Sequence, residues 1–179
     1  YLDTDGDNIP NYTDVDDDWD GSVDTVEQWS PNSGDNNDDW IDDVLQKNVA
    51  TIISSINNGY TTLDTSSGAC GSTSFDMVSE SSLWSQDSVD YPVWLADFTL
   101  ECTGTWATAD IKLYLDKGYD TTEWIYKKYN TVLDTYTDIS AIVTYNDHFF
   151  EPDEEYLLKD RSYFKMSSDT GSNATSYFF

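Results

Sequence analysis

Between Asp3 and Glu27 the chain reads DTDGDNIPNYTDVDDDWDGSVDTVE, with a carboxylate or amide at nearly every second position. Like charges at this density repel, so the stretch folds only in a form that neutralises them. The period of two is the informative part. Counting from Asp16, acids fall at the first, third and fifth places (Asp16, Asp18, Asp20), glycine at the sixth (Gly21), Ser22 at the seventh, Asp24 at the ninth and Glu27 at the twelfth. A hard cation takes six to eight oxygens, and a tight loop supplies them by turning alternate side chains inward. One backbone carbonyl, here that of Ser22, and a closing bidentate acid, here Glu27, complete such a set. Gly21 provides the turn at positive φ. A solvated acidic tail would account for the charge, but it would not keep the period, the glycine and the closing acid together.

Residues 3 to 14 repeat the arrangement with Asp3, Asp5 and Asp7, the carbonyl of Ile9, then Asn11 and Asp14. The sixth place holds Asn8, a residue that tolerates positive φ. A third, degenerate copy starts at Asp35, with Asn37, Asp39, the carbonyl of Ile41 and Asp43 in matching places. There Trp40 stands where glycine or asparagine is wanted, and Gln46 where an acid should close. The second copy carries the EF-hand loop pattern, and DTDGDNIPNYTDVDDDWDG resembles the thrombospondin type 3 repeats of bacterial surface and secreted proteins, with kinship to dockerin loops. The resemblance covers residues 3 to 27 and implies acid-rich loops wrapped around calcium ions with little other core. Its matched positions, Asp3, Asp5, Asp7, Asn11, Asp14, Asp16, Asp18, Asp20, Asp24 and Glu27, become ligand candidates. Ca2+ is the expected cofactor, at about two ions.

With 35 acids against 8 bases the net charge is -27, which argues against nucleic acid and anionic membrane surfaces as partners. The charge is unevenly placed. Residues 1 to 46 hold 15 acids and no Lys or Arg, while every base except Lys47 lies from Lys112 onward. Bound cations would neutralise the N-terminal end, and a saline habitat would screen the remainder. Cys70 and Cys102 stand 32 residues apart without a CxxC or accompanying histidines. They are expected to form one disulfide in an oxidising compartment. The chain shows no run of transmembrane length and no signal-peptide core, so an exported form would have lost its leader before Tyr1. Sequons occur at Asn11 and Asn173; Asn11 doubles as a ligand candidate, which leaves Asn173 as the comfortable glycosylation acceptor.

The expected fold is mainly β within an α+β class, in three parts: acidic loops over residues 1–37, an amphipathic helix over 38–59, and an antiparallel β domain over 60–179. The helix rests on Ile41, Val44, Leu45, Val49, Ile52, Ile53 and Ile56 at helical spacing, with Asn57, Asn58 and Gly59 as its stop. From Tyr60 onward Thr, Tyr, Trp, Val and Ile alternate in seven or eight runs, which fits a sandwich or one curved sheet wrapped on the helix. Trp94, Ala96, Phe98, Leu100 and Cys102 should share one strand face, and Ala109, Ile111, Leu113 and Leu115 another. Lys117, Gly118 and Asp120 should form a hairpin turn.

Catalytic signatures are sparse. The single histidine, His148, cannot build a zinc site, and acid pairs such as Glu151 with Asp153 or Glu154 with Glu155 carry no further mark of glycosidase chemistry. The chain is therefore expected not to be an enzyme. It reads as a secreted calcium-binding structural protein of a cell surface or extracellular matrix, prokaryotic by its resemblance, and assembling with itself into a filament or tube. The apolar Tyr177, Phe178 and Phe179 would either dock on the next copy or finish their own core. The alternative is a calcium-stabilised carbohydrate-binding or adhesive module, with glycans stacked on Trp84, Trp94, Trp106 or Trp124.

Overall fold

The computed structural model describes residues 1–55, 58–66, 70–83, 95–102, 109–115, 124–130, 133–146, 162–169 and 175–178. Trp84, Trp94, Trp106, the turn at Lys117 to Asp120, His148, the acids between Glu151 and Glu155, Asn173 and Phe179 lie outside these residues.

The fold is mainly β. Ten strands are described: β1 (Val49–Ile53), β2 (Tyr60–Asp64), β3 (Cys70–Val78), β4 (Leu95–Cys102), β5 (Ala109–Leu115), β6 (Lys127–Asn130), β7 (Thr135–Asp138), β8 (Val143–Asn146), β9 (Ser162–Asp169) and β10 (Thr175–Phe178). They form two five-stranded sheets, ordered β1-β2-β5-β9-β8 and β3-β4-β10-β6-β7, in which every pairing is antiparallel. One continuous core joins them. Ala50, Leu63, Ile111, Leu113 and Leu115 from the first sheet meet Phe75, Met77, Ala96 and Phe98 from the second. Facing apolar rows of this kind define a sandwich, which decides against the single curved sheet. The alternation expected of β4 and β5 is present: Ala96, Phe98, Ile111, Leu113 and Leu115 are all buried. Cys70 is disulfide-bonded, and the chain's other cysteine, Cys102, is its register partner across β3 and β4.

One expectation is corrected. Among the described residues no amphipathic helix occupies 38–59, Ile56 and Asn57 lying outside them. The segment continues the acidic loops as far as Gln46, with a short 3-10 turn at Asp43–Leu45, and then enters β1. Three of the stripe residues, Val49, Ile52 and Ile53, are β-branched and lie with Thr51 in VATII, where χ1 stiffness favours a strand once a partner is available. That partner is β2, in register from Val49 opposite Asp64 to Ile53 opposite Tyr60. The apparent helix stop serves the β1–β2 connection, where Asn58 sits at φ 55 and the Gly59 carbonyl accepts the Ser54 N–H. Asn-Gly signals a hairpin as readily as a helix end. Tyr177 and Phe178 belong to a sheet of their own chain. They lie in β10, which is hydrogen-bonded on both sides by β4 and β6 and so is an interior strand of its own sheet.

Both faces of the first sheet are covered near β1 and β2. Thr51, Thr62 and Asp64 are as buried as the core residue Leu63, because the N-terminal loops lie over them. The longest regular helix in these loops is one turn, α1 (Asp24–Glu27). Among the described residues no helix is long and apolar enough to cross a membrane.

Candidate metal centres

Three twelve-residue loops start at Asp3, Asp16 and Asp35, and one hydrogen-bond pattern recurs in all of them. The sixth residue donates its N–H to Oδ2 of the first: Asn8 to Asp3 at 3.2 Å, Gly21 to Asp16 at 3.2 Å, Trp40 to Asp35 at 2.9 Å. The seventh donates to Oδ1 of the fifth: Ile9 to Asp7, Ser22 to Asp20, Ile41 to Asp39. The second donates to the side chain of the ninth: Thr4 to Asn11, Asp17 to Asp24, Asn36 to Asp43. Left-handed residues at the fourth and sixth places make this curl, namely Gly6 and Asn8, Trp19 and Gly21, Asp38 and Trp40. Such a conformation costs an L residue about 1–2 kcal/mol, so at Asn8, Trp19, Asp38 and Trp40 the loops hold their acceptor carboxylates in place at a conformational expense.

The curl brings the odd-numbered side chains together. Carboxylate oxygens of Asp3, Asp5 and Asp7 lie within 4.8 Å of one another, as do those of Asp16, Asp18 and Asp20. These two clusters can hold a metal ion. The second is the better fitted, because Asp18 is 2% and Asp20 0% exposed and Oδ2 of each is buried without a hydrogen-bond donor. A buried carboxylate oxygen without a donor is costly unless a cation or proton satisfies it. The donors are all oxygen, which suits a hard divalent ion rather than a soft one. Glu27, the twelfth residue, is buried on α1.

Crowding of acids away from water shows in their protonation. Burial, then the neighbouring Asp16 charge, pushes Asp18 up to about 7. Burial and Asp24 push Asp17 to about 6. Asp20 and Glu27 are driven strongly upward, first by burial and then by their neighbours Asp18 and Asp20 respectively. Asp16 and Asp35 are also raised by burial. Without a cation this site therefore holds protons, and a bound cation would expel them.

The ninth-place residues also close the loops. Asn11, Asp24 and Asp43 each spend an oxygen on the second residue's N–H, tying the loop shut. Asp14 accepts the N–H groups of Val15 and Asp16 through Oδ1, so it also serves the junction between the first two loops. Gln46 closes the third loop as an amide: Nε2 donates to Asp39 Oδ1 and to the Ile41 carbonyl, both at 3.1 Å.

Several residues escaped the sequence reading. Asp17 falls on the outward phase of the two-residue period, yet it is buried with Oδ1 lacking a donor. Thr51, Thr62 and Asn36 tie the loops to the sheet. The Thr51 N–H donates to Glu27 Oε1 at 3.2 Å, so this backbone group is held by the loop. Thr51 Oγ1 lies 2.9 Å from Asp43 Oδ2 and 2.7 Å from Thr62 Oγ1, which accepts from Asn36 Nδ2 at 2.6 Å. With each hydroxyl proton used once, the order runs Asn36 to Thr62 to Thr51 to Asp43. Nearby, Ser72 of β3 donates its N–H to the Lys47 carbonyl, and Gly21 packs on the backbone of Thr73 and Ser74. The loops thus cover β1 and β3, the edge strands of the two sheets on this side.

Comparison of the chain with family models, with curated proteins and with solved structures finds no match.

Proposed function

We propose that this chain is a calcium-stabilised extracellular protein with a structural, non-catalytic role at a prokaryotic cell surface, its ions acting as a clasp between the acidic loops and the edge of the β-sandwich. The observation that carries the reading is the pair of buried Asp18 and Asp20 oxygens, donor-free within an all-oxygen cage. Calcium fits this cage by ligand type and by the millimolar level at which extracellular sites work. Asp16, Asp18, Asp20, the Ser22 carbonyl and Glu27 would hold one ion, and Asp3, Asp5, Asp7 and the Ile9 carbonyl, helped by Asp14, another. Each ion would supply positive charge that lets these acids ionise while buried. The residues do the rest: Glu27 bridges the cage to the Thr51 N–H, and the loops shield strand edges that would otherwise recruit other chains.

Self-assembly of copies into a filament or tube is part of the same reading, and charge asymmetry supports it. The first 46 residues carry 15 acids and no base, whereas seven of the eight bases lie from Lys112 onward among 12 acids, so copies repel least where the acid-only end of one meets this mixed-charge region of the next. Calorimetric titration and negative-stain microscopy test the two parts separately. Calcium should bind with a large rise in thermal stability, and Glu27→Gln should weaken the second site by about tenfold or more, since it removes one ligand charge. Unchanged affinity in that variant would remove the site assignment. Filaments that form in millimolar calcium and dissolve on chelation are expected; dispersed particles in both conditions would end the assembly reading.

One observation favours an adhesive or glycan-binding module instead. Trp19, Trp29 and Trp40 are exposed on the loops, and a cleft of about 700 Å³ lies between Trp19 and the first loop, lined by Asp5, Asp7, Asp18, Trp19, Ile41 and Leu45 among others. Of the tryptophans expected to stack on sugars, Trp124 instead packs against the core. Calcium-dependent retention on a glycan array, lost in Trp19→Ala, would establish this second reading.

A further inference from the structure

We infer that the third loop is a third divalent-cation site, filled when the Gln46 carboxamide reverses and presents Oε1 in place of Nε2. The inference rests on the same loop chemistry as the first two sites but on separate residues. Asn37, at the third place, is 6% exposed, and its Oδ1 is buried without a donor. Its Nδ2 donates to Asp39 Oδ2 at 3.2 Å, so the orphaned oxygen sits on a carboxamide held against the fifth-place carboxylate of the same loop. A buried amide oxygen in such a place calls for a positive partner.

Gln46 shows where that partner belongs. Its NH2 group touches Asp39 Oδ1 and the Ile41 carbonyl, the fifth and seventh positions, both of which turn toward the ion in a loop of this type. The amide proton pair thus stands in for a cation. Carboxamide oxygen and nitrogen are nearly the same size, so turning the end group over places an oxygen ligand at the closing position without moving the backbone. The completed set is Asp35, Asn37 Oδ1, Asp39, the Ile41 carbonyl and Gln46 Oε1. It carries two formal charges, against four for Asp16, Asp18, Asp20 and Glu27. Affinity falls with ligand charge, so this site fills last. Asp43 stays outside the set, since both its oxygens accept the Asn36 N–H and Oδ2 also receives the Thr51 hydroxyl.

Equilibrium dialysis against calcium chloride on the full chain, as wild type, Asp35→Asn and Gln46→Glu, tests the inference. Wild type should bind one more ion than Asp35→Asn, with that ion the weakest, and Gln46→Glu should tighten it by about tenfold or more. Equal stoichiometry in wild type and Asp35→Asn, with no extra or tighter ion in Gln46→Glu, overturns it. Gln46→Glu adds a ligand charge, so it reports even where Asp35→Asn folds poorly. The ions that remain in Asp35→Asn report the first two loops alone, so failure of the third site and failure of the general calcium reading give different results.

Discussion

At the scale of single residues, position six separates what a sequence displays from what a structure demands. Gly21 is legible as a turn because a left-handed residue is needed and glycine meets the need freely; its φ is 96. The structure adds a second constraint, since a Cβ there would lie 2.8 Å from the Thr73 carbonyl oxygen and 2.9 Å from Ser74 Cα. Gly6 also has positive φ but meets nothing within 4 Å. Gly6→Ala should therefore cost only the conformational term, about 1 kcal/mol, whereas Gly21→Ala should cost clearly more and weaken calcium binding as the second loop is pushed off β3. Chemical denaturation of the two variants checks the order, and equal losses would refute the packing account. Trp40 is the opposite case: the sequence marks it as a misfit, yet it takes φ 71 and keeps the loop pattern. It is 86% exposed, so little packing opposes its replacement. Trp40→Gly should stabilise the third loop by about 0.5–1 kcal/mol, the relief of left-handed strain less the added freedom of glycine in the unfolded chain. A stability loss in that variant would show that the indole carries a contact of its own. The clustering of Asp3, Asp5 and Asp7, and of Asp16, Asp18 and Asp20, was readable because the period of two turns alternate side chains of a tight loop inward. Asp17 was not, because the period of two sends it outward while the neighbouring loop buries it.

At the scale of elements, the second half of the chain was readable and the junction was not. In β4 and β5 one face is consistently apolar, so the period of two survives in the sequence although Leu95 and Tyr114 on the opposite faces are buried as well. β1 is buried on both faces near its start, with Ala50 in the sandwich core and Thr51 under the loops, and a strand covered on both sides loses its alternation. That is why VATII, read together with Val44 and Leu45, imitates a helical stripe. The same double burial makes Thr51 the hinge of the arrangement, since its N–H serves Glu27 and its hydroxyl serves Asp43. Thr51→Val keeps the shape and the backbone donor but leaves a buried carboxylate one hydrogen bond short. A loss of about 1–3 kcal/mol is expected, with weaker calcium binding because the loops are no longer pinned. Thermal unfolding with and without calcium checks this. If Thr51→Val unfolds like wild type in both conditions, the hydroxyl relay is not what docks the loops.

For the whole molecule, the charge that dominates the composition decides how stability responds to pH. Buried acids in the loops have folded pKa values raised above the unfolded range of about 4, with Asp17 near 6, Asp18 near 7 and Asp20 and Glu27 higher. Between those limits the metal-free folded chain binds more protons than the unfolded one, so its stability falls as pH rises. The contribution is fully present below about pH 4, in the unfolded carboxylate range, and is lost as pH climbs through the folded values. A bound cation would reverse the sign. Ionised by calcium, the same acids would fold with depressed pKa values, and acid would then remove stability by displacing the ion. Metal-free protein, prepared by chelation and desalting, should melt at a higher temperature at pH 5 than at pH 8, while protein in millimolar calcium should melt higher at pH 8. Parallel slopes in the two series would mean that the buried acids of the loops are not what calcium binds. Ionic strength separates this from the net charge of -27: salt screens the diffuse repulsion over the surface but hardly reaches a buried cage. A slope reversal that persists in high salt belongs to the loops, and one that disappears belongs to the surface as a whole.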